Sequence, residues 1–75
     1  MLNLLSVKTG EQREVKEISS DAPFKIKRRL LELGFTKKTK VKVHRKSLLG
    51  QAYMVELRGF ILSMKKDILR FILVE

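Results

Sequence analysis

Residues 28–35 read Arg28-Arg29-Leu30-Leu31-Glu32-Leu33-Gly34-Phe35, between a short basic segment and a run of alternating apolar residues. Leu30 and Leu33 fall about one helical turn apart, and Ile26 lies one turn earlier, so the three share a face. Gly34 supplies the left-handed residue that closes many helices. Upstream, Ser19-Ser20-Asp21 offers N-cap chemistry, and Pro23 suits a first helical turn. The spacing predicts a helix from about Ala22 to Leu33. Arg28 and Arg29 point away from its apolar stripe, toward solvent or a partner.

On either side of this helix the period is that of strands. Arg13 to Ile18 alternates with one imperfection in register and reads as a first strand. Val41 and Val43 alternate with Lys40, Lys42 and His44. Tyr53, Val55 and Leu57 alternate with Met54, Glu56 and Arg58 after a loop at Ser47–Gln51. Beyond Gly59, Leu62 and Met64 point one way and Ile61 and Ser63 the other. Lys65 to Arg70 reads as one helical turn and Phe71 to Val74 as a closing strand. The expected class is therefore mainly β, with about five short antiparallel strands and one helix inserted after the first. So few strands without a second layer hide their edges best by curling into a small barrel, capped by the Ile26–Leu30–Leu33 face. Leu2, Leu4 and Leu5 form a short apolar start with no assigned element.

The chain has 75 residues, enough for a single domain over 1–75 with one modest core. No cysteine is present, which removes disulfides and thiolate metal sites and suits a reducing compartment. Met1 to Val7 lacks a basic start followed by a long apolar region, so no signal peptide is expected. The longest apolar stretch, Phe60 to Val74, is broken by Lys65, Lys66, Asp67 and Arg70.

The net charge is +9, and ten of the seventeen basic residues lie between Lys25 and Lys46, where Glu32 is the one acid. Such a charge favours anionic partners: nucleic acid, a lipid surface or an acidic protein patch. It also serves solubility alone. Two neighbouring features make a candidate partner surface. The first is the cationic group Arg28, Arg29, Lys37, Lys38, Lys40, Lys42 and Arg45. The second is Leu48 and Leu49 at a loop tip beside Tyr53, because exposed adjacent leucines suggest docking.

Chemistry is sparse. His44 is the sole histidine and has no carboxylate near it in sequence, so it reads as a solvent-facing side chain. Ser47 has no nucleophile-elbow context, and the isolated glycines make no phosphate loop. One histidine and scattered acids do not compose a first-row metal site, so no metal, cofactor or catalytic residue is expected. The basic strand Lys40–Lys46 lacks interleaved aromatic rings, which argues against tracking a nucleic acid.

The order of these pieces is similar to that of a known family: Gly10 in a turn, strand Val15–Ile18, a helix ending L-L-E-L-G-F, strand K-V-K-V, loop L-L-G-Q, G-F-I-L-S-M-K-K-D and a terminal I-L-V-E. From about Leu5 to Glu75 the chain resembles the FeoA family, small SH3-like barrel proteins of bacterial ferrous iron uptake. The resemblance implies a cytoplasmic accessory that docks on the cytoplasmic GTP-binding region of the permease FeoB, and regulates or assembles it. It implies neither an iron carrier nor any oligomeric state. An anionic membrane surface beside the permease would be a second use of the charge. SH3-like architecture does not carry polyproline binding with it. The same fold is appended to iron- and manganese-dependent repressors, but no winged-helix portion precedes it in this sequence. A small nucleic-acid-binding barrel and a repressor-type domain are the alternatives. The chain departs from the family pattern at Lys37-Lys38, where Pro-Gly is common. It departs again at Leu48 in place of proline, Gln51 in place of an acid, Met64-Lys65 in place of Leu-Arg, and Ile68-Leu69 in place of Glu-Ala. These changes leave the core positions apolar and make the surface more cationic.

Overall fold

The computed structural model describes residues 2–75, which form one six-stranded antiparallel sheet with two helices. In chain order these are β1 (Leu2–Asn3), a 3-10 turn (Leu4–Ser6), β2 (Gln12–Ile18), α1 (Phe24–Leu33), β3 (Lys40–Lys46), β4 (Ala52–Leu57), β5 (Phe60–Lys65), α2 (Lys66–Leu69) and β6 (Ile72–Val74). The sheet runs β1-β6-β2-β3-β4-β5 and curls on itself, within extents of 29 × 24 × 23 Å. Its edges, β1 and β5, are not hydrogen-bonded to each other; α2 packs against β5 and against the 3-10 turn after β1.

The strand count exceeds the sequence expectation by one. Leu2 and Asn3 pair with Val74 and Leu73. Two residues are too few to show an alternation, and their partners lie at the far end of the chain. The Asn3 side chain then accepts a hydrogen bond from the Leu5 N–H at 2.8 Å, turning the backbone so that Leu4 enters the core with no exposed surface.

The expected imperfection in β2 is a shift in its pairing with β6 between Val15 and Glu17. The inward positions of β2 to β6 carry Val15, Ile18, Val41, Val43, Val55, Leu57, Met64, Ile72 and Val74. At roughly 1.5–3 kcal/mol for each fully buried large aliphatic side chain, this cluster is the main source of stability.

Helix α1 starts later than its upstream signals indicate. Pro23 occupies the N-cap position and no side chain caps the helix. The Ser19 hydroxyl instead accepts from the Asp21 N–H at 3.2 Å, so the Ser-Ser-Asp segment makes a turn before the helix. The other end follows expectation. Gly34, at φ 110°, donates to the Leu31 carbonyl at 3.1 Å, and Phe35 donates to the Leu30 carbonyl at 3.0 Å. This is a Schellman closure. It drops Phe35 into the core beside Leu30, both fully buried, with Ile26 and Leu33 packed at their margin.

Candidate functional site

Two tight turns place cations on one side of the barrel. Residues Thr36 to Thr39 close with Thr39 N–H on the Thr36 carbonyl at 3.0 Å, and Lys38 sits third in that turn at φ 72°. That is the position a type II turn ordinarily gives to glycine. The turn is pinned to β2, since the Lys38 N–H reaches the Val15 carbonyl at 2.7 Å. The second turn, Arg58-Gly59, joins β4 to β5 with φ 49° and 86°. This is the left-handed pair of a two-residue hairpin, where Asn-Gly is usual.

The two turns meet over the end of α1. Arg58 Nη2 donates to the Thr36 hydroxyl at 3.1 Å and lies 3.5 Å from that of Thr39; the two hydroxyls are 3.0 Å apart. The arginine stem crosses Gly34 so closely that a Cβ there would stand 3.1 Å from Arg58 Cδ and Nε. The result is an open groove of about 470 Å³ lined by Lys37, Lys38, Thr39, Lys40 and Arg58. None of its four cations has a carboxylate within 4 Å among the described residues. Arg58 is missing from the sequence-derived set because it reads there only as a polar strand residue. The Arg-Gly pair closing β4 was its one signal.

The cationic group named from sequence does not form one continuous face. Arg28 pairs with Glu32 on the helix surface at 3.6 Å, an exposed contact worth about 0.3–0.5 kcal/mol. Arg29 lies on the other flank, at a groove of about 230 Å³ with Lys25, Ile26, Leu30, Leu33, Met64 and Ile68. On β3, Lys42 stands opposite Gln12 of β2 and Glu56 of β4, and Arg45 opposite Met54 of β4. Lys37, Lys38 and Lys40 are the members brought together. Lys37 also borders a depression shared with Glu17 and Glu75.

Leu48 is 100% exposed and Leu49 80% exposed, at the tip of the β3–β4 loop. The Ser47 hydroxyl fixes the base of that loop, accepting from the Gln51 and Ala52 N–H groups at 3.0 and 3.1 Å. Tyr53 requires correction. It shares the inward face of β4 with Val55 and Leu57 and is 8% exposed, so it is a core side chain and not a surface one. Lys46 Nζ lies over its ring, 4.9 Å from the centroid, in a cation–π contact.

His44 also differs from its sequence reading. A register shift in β3 between Val43 and Arg45 turns it toward Glu56 on β4, twelve residues away, and Nε2 hydrogen-bonds Oε1. The pair is half-exposed. No group of three or more histidine, cysteine or acidic side chains gathers among the described residues. Glu11 accepts from the Lys8 N–H at 2.9 Å. That bond foremost, with Arg13 and Lys8 beside it, holds the Glu11 carboxyl below its usual 4.5. None of the described helices is long and apolar enough to cross a membrane.

A family model for the FeoA domain matches residues 2–75. A search of curated proteins returned no match. Among solved structures, the chain is similar to FeoA from Chlorobium tepidum, at 31% identity and a TM-score of 0.88, covering 99% of this chain and 69% of that one. FeoA from Stenotrophomonas maltophilia, solved with zinc and described as an SH3 domain protein, shares 21% identity at a TM-score of 0.89, covering 100% and 91%. A manganese-dependent transcriptional repressor shares the fold at 17% identity and a TM-score of 0.87, over 99% of this chain but 35% of that protein. The helix-closing glycine, the curled sheet and the full-length match agree: the chain belongs to the FeoA family, with its SH3-like fold.

Proposed function

We propose that this chain is an accessory of ferrous iron uptake that docks on the cytoplasmic GTP-binding region of a FeoB-type permease, to regulate or assemble it. Membership of the FeoA family supports the transport role, and for the Stenotrophomonas protein a role as a ferrous iron transport activating factor has been suggested. The observation that carries the docking surface is the complete exposure of Leu48 beside Leu49 on a loop whose base is fixed by Ser47. A fixed loop loses little entropy on binding, and two adjacent leucines supply an apolar anchor. The cations of β3 and of the α1–β3 turn steer an acidic partner toward it.

The test is capture of the soluble GTP-binding region of the permease on immobilised protein. Leu49→Asp, which leaves the core untouched, lowers affinity by about tenfold or more. Reversing charge at Lys37 and Lys38 slows association. If both variants capture as well as the parent protein does, the docking surface is wrong.

A further inference from the structure

We propose that the groove between the α1–β3 and β4–β5 turns is a binding site for a compact, multiply charged phosphate group. Four cations, Lys37, Lys38, Lys40 and Arg58, converge there without a carboxylate within 4 Å among the described residues. The acid opposite Lys40 in the β2–β3 register, Glu14, makes no ion pair with it at that distance. Mutual repulsion in such a cluster is relieved by an anion.

The backbone makes the same point independently. Lys38 and Arg58 are the two non-glycine residues with positive φ among the described residues, and both line this groove. Each occupies a turn position where glycine or asparagine is less strained. Strained backbone of this kind concentrates at ligand sites. Attraction of the guanidinium to the carbonyl end of α1 accounts for where Arg58 lies. It does not account for the three ammonium groups, nor for a lysine in the left-handed position.

The chemistry of the lining selects the ligand. Among the described residues no apolar or aromatic side chain lines the groove, so a nucleobase or peptide side chain finds no wall to pack against. The Thr36 and Thr39 hydroxyls hold the guanidinium through one of its nitrogens and leave its other donors free. A planar fork flanked by mobile ammonium groups fits the oxygens of a phosphomonoester or a pyrophosphate. The site stands on the groove alone and holds whether or not the permease is the partner.

The test is an amide chemical-shift titration of the full chain with sodium pyrophosphate at constant ionic strength, without permease. The expected result is saturable shifts confined to Thr36–Lys40 and Arg58–Gly59. Lys38→Gly relieves strain and removes one cation, so it folds at least as well and weakens binding about fivefold, the loss of one basic contact. Arg58→Gln weakens binding to a similar or greater extent. Vesicles of phosphatidylcholine with and without phosphatidic acid identify the source. Retention that requires phosphatidic acid and is lost in Lys38→Gly assigns the phosphate to a lipid headgroup, whereas pyrophosphate binding without retention assigns it to a soluble phosphate. The site is refuted if shifts spread equally over Lys25, Lys65, Lys66 and Arg70 without saturating. Unchanged affinity in Lys38→Gly, or equal competition by a polyglutamate peptide of matched charge, refutes it as well.

Discussion

Gly34 answers two demands at once, a backbone at φ 110° and the passage of the Arg58 stem over its bare Cα. Alanine at this position suffers the left-handed penalty of roughly 1–2 kcal/mol and also crowds the arginine stem, which must give by a few tenths of an ångström. Gly34→Ala is therefore expected to lose at least about 1–2 kcal/mol in a denaturant melt, and to loosen Arg58 from the two threonine hydroxyls. Glu11 shows a different kind of local control. Its folded carboxyl is held below 4.5, so its contribution is fully present above that value and is lost as pH falls through the lowered one. Glu11→Gln should be less stable than the parent chain at neutral pH. The gap should close on acidification below about pH 4.5, as read from thermal melts across that range.

Among the elements, the long alternating ones were legible in the sequence, because a buried face imposes a period of two. Val41 and Val43 in β3, and Tyr53, Val55 and Leu57 in β4, all point inward as their spacing requires. Helix α1 was legible from its apolar face and its glycine stop. Its beginning was not, since the polar cap candidates bond within their own turn. Strand β1 was hidden because its two residues acquire a partner only in the folded sheet. The site was partly legible. Lys37, Lys38 and Lys40 stand together in sequence, but Arg58 reaches them only through a hairpin whose Arg-Gly turn lacks the usual asparagine. The 3-10 turn gives a check on the N-terminal segment. Leu4 is as buried as Leu30, so Leu4→Ala is expected to cost about 2–5 kcal/mol, comparable to Leu30→Ala, by chemical denaturation. A cost below 1 kcal/mol would show that the segment is an appendage and not a wall of the core.

At the scale of the whole molecule, a single small core carries a surface charge of +9. A domain of this size has roughly 5–15 kcal/mol of net stability. Much of it depends on a few fully buried side chains such as Phe35 and Leu69. The charge acts at longer range than any one contact, so association with the proposed permease partner, if steered by charge, should slow as salt rises from about 0.05 to 0.5 M, while dissociation changes little. Stopped-flow measurements at several ionic strengths would show this; a salt-independent association rate would remove steering from the mechanism.

The position of β6 has a consequence for how the chain is made. Its three residues, synthesised after every other strand of the sheet, lie between β1 and β2. A nascent chain that has emerged only as far as α2 leaves β2 with an open edge and β1 with no partner at all. The barrel therefore closes only once Ile72–Val74 have left the ribosome, and until then the exposed edge is where a neighbouring nascent chain would pair.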